Sequence, residues 1–194
     1  MTIWGWLSVG AGSWALAIVL KVLADYLVQR SVSFELRDWV AALLSGFWSS
    51  ICELGLCAIA FWYWNAGFSD ALVTALGAAL AEFILLLPPA LSAHFGKSRG
   101  KAKDQANWRA FFLERSLFIT NHLASRALLW FGIMGAAGMA AVGAAFGFFA
   151  LTEGTQAYGQ AKAWDWLNQR TQMVFFGFII LVLSAELVLV AHWW

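Results

Sequence analysis

Apolar residues run along this chain in long blocks, with no strict alternation and few polar interruptions. A helix crosses the hydrocarbon core of a bilayer with about 20 apolar residues. Five windows meet that length: 4–29, 39–64, 69–95, 118–150 and 172–194. Inside a membrane only a helix satisfies its own backbone groups within one segment, and no barrel-like alternation is present. The pattern predicts an all-α transmembrane bundle of about five spans, forming a single domain over residues 1–194. The first window is expected to stay in place, because no positive charge precedes it and no small-residue cleavage site ends it.

Composition agrees with this class and removes others. Hydrophobic residues make up 62% of the 194, charged residues only 12%, and mean hydropathy is +0.72. A soluble domain carries about 25% charged residues, so half that complement could not cover a surface this size in water. A net charge of +1 and two cysteines argue against a nucleic-acid surface and a disulfide framework. No phosphate loop, haem pair or thiolate cluster is present, so no cofactor and no metal is expected.

Lysine and arginine set the expected direction. Segments 30–38 and 96–116 hold eight of the twelve, while connections 65–68 and 151–171 hold only Lys162 and Arg170. With five spans this places the N-terminus outside and the C-terminus in the cytoplasm, with a basic cytoplasmic loop at about 96–112. That loop is suited to anionic headgroups. The expected address is a bacterial cytoplasmic membrane. Tryptophans near span ends, such as Trp4, Trp39, Trp62, Trp64 and Trp194, match the headgroup preference of amphipathic rings.

Two spans carry unusual packing signals. Leu87-Pro88-Pro89 lies within the third, where proline removes backbone donors and kinks a helix. The fourth holds Gly132, Gly135, Gly138, Gly143 and Gly147 among many alanines. Such residues let helix backbones approach closely, which predicts a central helix or one packed on another chain or a second copy. Cys52 and Cys57 read as small apolar packing residues.

Candidate chemistry lies with the ionisable residues inside apolar windows, each costing about 2.5–3.5 kcal/mol at mid-membrane for Asp, Lys or Arg. Glu53 lies in the second span, Glu82 in the third and Glu186 in the fifth. Lys21 and Asp25 stand one turn apart and are expected to pair. His122 and Arg126 do the same in the fourth, preceded by Glu114 and Arg115. Arg126 can snorkel to headgroups or neutralise a carboxylate. A mid-membrane glutamate can hold water, relay protons or act as a general base; equally, it can bond across helices.

The order Gly46-x6-Glu53, Gly77-Ala78-Ala79-Leu80-Ala81-Glu82 and Leu113-Glu114-Arg115-x6-His122-x2-Ser125 resembles the YhfC-like membrane proteins of the CPBP/PrsW clan of intramembrane proteases. That clan also holds the non-catalytic Aph subunit of gamma-secretase. The resemblance covers about residues 39–130. It implies Glu53, Glu82 and His122 as catalytic candidates, with Glu114, Arg115 and a late His192 beside them. One departure is Cys57, which stands where the clan places an arginine four positions after the acid. Three functions follow: a non-catalytic subunit or scaffold of a membrane complex, an intramembrane hydrolase using Glu53 or Glu82 with His122, and an oligomeric channel or proton conductor. The leading reading is the scaffold, with the bilayer and other membrane chains or further copies as partners.

Overall fold

A computed structural model describes the backbone of residues 1–31, 38–95, 108–135, 137–162, 164 and 168–194, and the side chains of these except 24–31, 88–95, 108–110 and 160. The element order is α1 (Ile3–Ser31), α2 (Asp38–Trp64), α3 (Phe68–Phe95), α4 (Trp108–Ile133), α5 (Gly138–Ala161) and α6 (Gln169–Trp193), with no strand among the described residues. The chain is an all-α bundle. Long apolar segments with few polar interruptions make helices whose ends fall close to four of the expected windows.

The fourth window is the exception. It divides into α4 and α5, which pack against each other as an antiparallel pair. The amide nitrogens of Met134 and Gly135 both bond back to the Trp130 carbonyl, at 2.8 and 3.3 Å. Gly138 opens α5 with φ +59°, a left-handed conformation that glycine adopts without a Cβ penalty. Gly135 and Gly138 therefore belong to a turn and not to a packing face. A run of glycine and alanine keeps hydropathy high through this turn, so length and apolarity alone read it as one span.

Six helices change the placement of the chain ends. Trp6 packs on Phe61 and Trp64, and Trp194 packs on Phe68 and Phe131. Both termini thus lie at the end of the bundle that holds the turns at 65–67 and 134–137. The five-span count had set them at opposite ends. At the other end Lys162 pairs with Asp38, so the connection after α5 lies with the one before α2. Residues 151–161, expected in a connection, form the last turns of α5.

Helices α1, α2, α3 and α6 are each long and apolar enough to cross a membrane. The chain is a multi-pass integral membrane protein. At 1.5 Å per residue, the 26 residues of α4 and the 24 of α5 reach about 39 and 36 Å, enough to accompany their neighbours across. Large apolar side chains point outward, including Val22, Ile84, Leu181 and Val188, all at least half exposed. Polar ones point inward. Trp4, Trp39, Trp62 and Trp194 are exposed near helix ends, as expected of headgroup anchors, whereas Trp6 is buried. Helix α3 runs on through Pro88 and Pro89 to Phe95.

Close backbone contacts depend on glycines outside the expected tract. A Cβ on Gly10 would stand 1.9 Å from the Thr74 carbonyl oxygen, and one on Gly77 would stand 2.2 Å from that of Leu7. These two glycines let α1 and α3 touch backbone to backbone. Gly46 does the same for α2 on α5, where a Cβ would meet the Ala150 oxygen at 2.2 Å. Gly132 is the one member of the expected set that works this way, against Val142 and Gly138 of α5. Gly143 and Gly147 have nothing within 4 Å of a Cβ and face outward.

Candidate functional site: a buried ion-pair core

The functional candidates of the second, third and fourth windows meet inside the bundle. On α4, positions 115, 122 and 126 follow roughly the 3.6-residue period and share one face. Arg115, His122 and Arg126 are all buried. Glu53 reaches them from α2 and Glu82 from α3. His122 stands between the two acids, with Nε2 at 2.9 Å from Glu82 Oε2 and Nδ1 at 3.2 Å from Glu53 Oε1.

Each acid also has its own arginine. Arg126 donates to Glu53 Oε1, and Arg115 donates to Glu82 Oε1 at 2.5 Å. Arg126 Nη1 additionally lies 2.9 Å from His122 Nδ1. Nδ1 thus faces a donor, the Arg126 guanidinium, and an acceptor, the Glu53 carboxylate, at once, while Nε2 faces Glu82. Arg126 does not snorkel: it is 0% exposed and takes the other course open to it, neutralising a carboxylate.

The network continues to both sides. Arg115 Nη2 reaches Glu114 Oε1 at 2.9 Å, and Gln156 of α5 donates to the same oxygen at 3.5 Å. Asn121 donates to Thr152 of α5 at 3.0 Å. Beside this core Lys21 of α1 pairs with Glu153 of α5 at 3.2 Å, and both bond to Ser49 of α2, at 3.3 and 3.1 Å. Lys21 therefore has an interhelical partner; the side chain of Asp25 lies outside the described residues. Glu153 was absent from the sequence candidates because it lies past residue 150, in a stretch read as a connection.

Two candidates stand apart. His192 is exposed in the last turn of α6, next to the ring of Trp193 and at the terminus end of the bundle. It takes no part in the core, so the late histidine implied by the resemblance is not there. Glu186 of α6 is 0% exposed, and neither carboxyl oxygen has a hydrogen-bond partner among the described residues. Cys57 lies one turn from Glu53 and 3.4 Å from Ser13 Oγ. The basic segment 96–107 lies outside the described residues.

Chemically the core is crowded. The crevice against Glu82 and His122 is lined by Ala79, Phe83, Arg115, Phe118 and Ile119 and is too narrow to seat a water molecule. Among the described residues no three His, Cys, Asp or Glu side chains group as a metal ion would need. An apolar cleft of about 470 Å³ between α1 and α2, lined by Val9, Leu16, Leu56 and Ile59, shares no lining residue with that crevice. Compared with protein-family models, curated proteins and solved structures, the chain matches none.

Proposed function

We propose that this protein is a non-catalytic subunit or scaffold of a membrane complex, held in one shape by its ion-pair core and docked to its partner through the outer face of α5. The observation that carries this reading is the direction of Gly143 and Gly147. They stand one turn apart on the outside of α5, in line with Met139 and Leu151, and nothing lies within 4 Å of where their Cβ atoms would be. Small residues on a lipid-facing surface let a second helix approach closely. The core supports the same reading, since its acids are taken up by arginines and histidine and leave no seat for a hydrolytic water.

The test is the mass of the particle extracted from intact membranes. The wild type is expected above the 21.4 kDa of one chain, and the G143L/G147L variant at single-chain mass. Because both side chains enter open space, thermal stability should stay within about 0.5 kcal/mol of wild type. A wild type that runs as a lone chain, or a variant that keeps the larger mass, defeats the proposal.

The hydrolase reading keeps one specific support: Glu82 and Glu53 both meet His122 within hydrogen-bond or ion-pair distance. It requires the crevice at Glu82 to open, and cleavage of a bilayer-embedded reporter peptide that E82Q abolishes. Conduction has less behind it. The polar column ends at Arg126 and Glu186, and the apolar cluster of Trp6, Phe61, Leu128 and Phe149 fills the bundle toward the terminus end.

Sidedness and address belong to the same proposal. In the six-helix arrangement the stretches of sequence 30–37, 97–109 and 162–170, which join α1 to α2, α3 to α4 and α5 to α6, carry most of the lysines and arginines, and those that join α2 to α3 and α4 to α5 carry none. That asymmetry supports a cytoplasmic basic end with both termini on the far side, in a bacterial cytoplasmic membrane.

A further inference from the structure

We propose that the bundle core binds one exchangeable proton, and that Glu186 holds it. The inference rests on the burial of Glu186, on its two unpartnered oxygens and on how the nearby cations are engaged. Three acids face the core: Glu53 from α2, Glu82 from α3 and Glu186 from α6. Two guanidiniums answer them, Arg115 and Arg126, both from α4. The side chains of Glu53, Arg115 and Arg126 are at most 5% exposed and that of Glu82 is 12% exposed; Glu186 is 0% exposed.

The other cations of the core are engaged elsewhere. Lys21 of α1 pairs with Glu153 of α5. Arg115 is shared by Glu82 and Glu114, and Arg126 is taken up by Glu53. An ionised Glu186 would therefore be an uncompensated buried charge, which is far more costly than a neutral acid. A proton on its carboxyl removes that cost.

Among the described residues no donor reaches either Glu186 oxygen. Arg126, the cation that acts on it, is already engaged by Glu53. The proton therefore sits on a Glu186 oxygen. If it leaves, the core gains a negative charge beside Arg126, so the occupancy of this one site sets how firmly Arg126 holds Glu53. None of this depends on the docking face of α5.

The test is infrared spectroscopy of the purified full chain in bilayers at pH 7, reading the C=O stretch of a protonated carboxyl. The wild type is expected to show such a band and to shift it on transfer from H2O to D2O. E186Q should lose the amplitude of one carboxyl, while E153Q should keep it. A full band in E186Q, the absence of any band in wild type, or a band that D2O does not move overturns the proposal. If E186Q yields no folded protein, E186D replaces it: its band must change frequency at unchanged amplitude, and a band of unchanged frequency counts against Glu186.

Discussion

Helices α4 and α6 lie side by side and solve opposite problems. Helix α6 meets the length and apolarity needed to cross a membrane on its own. It turns Ile180, Leu181, Leu187 and Val188 outward, with Glu186 as its one buried acid. Helix α4 is not among the spans that composition identifies, and its Arg115, Asn121, His122, Ser125 and Arg126 are all buried. What makes α4 a poor span in isolation makes it the centre of the bundle. Lipid tails are as apolar as leucine, so apolar surface does little to drive one membrane helix against another. Polar groups with no solvent of their own have to find each other. Helix α4 gathers α2 through Glu53, α3 through Glu82 and α5 through Thr152 and Gln156.

This contrast can be broken most severely at Arg126. R126M strands Glu53 in the interior, and loss of one partner of a buried pair costs on the order of 3–5 kcal/mol. Thermal unfolding in detergent should show R126M as little or no folded protein. A lysine at the same site keeps the charge but not the fork that reaches Glu53 and His122 together, so R126K should recover only part of the loss.

Next in size come the glycine contacts. G10L and G77L each drive a side chain into the backbone of the facing helix, and overpacking of this kind costs about 1–3 kcal/mol or more. The expected outcome is a lower unfolding temperature, with cross-linking between cysteines placed on α1 and α3 reduced. By contrast L181A on the lipid face of α6 should change stability by less than about 0.5 kcal/mol, measured by the same melt. A core-sized loss from L181A would mean that the outer face of α6 is packed after all.

The smallest effect belongs to the pair outside the bundle, Lys162 with Asp38. Hydrogen bonding and the charge of Asp38 raise the Lys162 ammonium pKa above its usual value. A raised folded-state lysine contributes below its ordinary pKa and loses that contribution as pH rises through the folded value. Both side chains are nearly half exposed, so solvent and salt screen the pair. Any difference between K162A and wild type should be small and present at neutral pH, and it should vanish as pH rises through the raised lysine value, measured by the same melt.

Four of the expected windows became helices with nearly the same bounds, because sustained apolar length is the signal hydropathy reads best. The division of the fourth was hidden for a physical reason. Gly135 and Gly138 are turn formers and also small packing residues, and the apolar tract around them gives no polar punctuation to choose between the two. Glu53, Glu82, His122 and Arg126 stood out because each is ionisable within an apolar window, and their meeting required only that α2, α3 and α4 be neighbours. Lys21 was assigned to Asp25 by its one-turn spacing, since a partner 132 positions away on α5 leaves no trace in local spacing. Gly10 stands between Gly5 and Gly12, and Gly46 and Gly77 enter the sequence reading only beside their acids, so nothing in a linear reading marks them as contact points.

The central claim is that the buried acids and their cations are bound to one another to hold the helices together. A double-mutant cycle on Glu53 and Arg126, read by thermal unfolding in bilayers, tests it most directly. The account expects R126M to be strongly destabilised, and E53L/R126M to recover most of the lost stability by removing the stranded acid along with its partner. It is contradicted if R126M melts like wild type, or if the double variant is as unstable as the sum of the single losses.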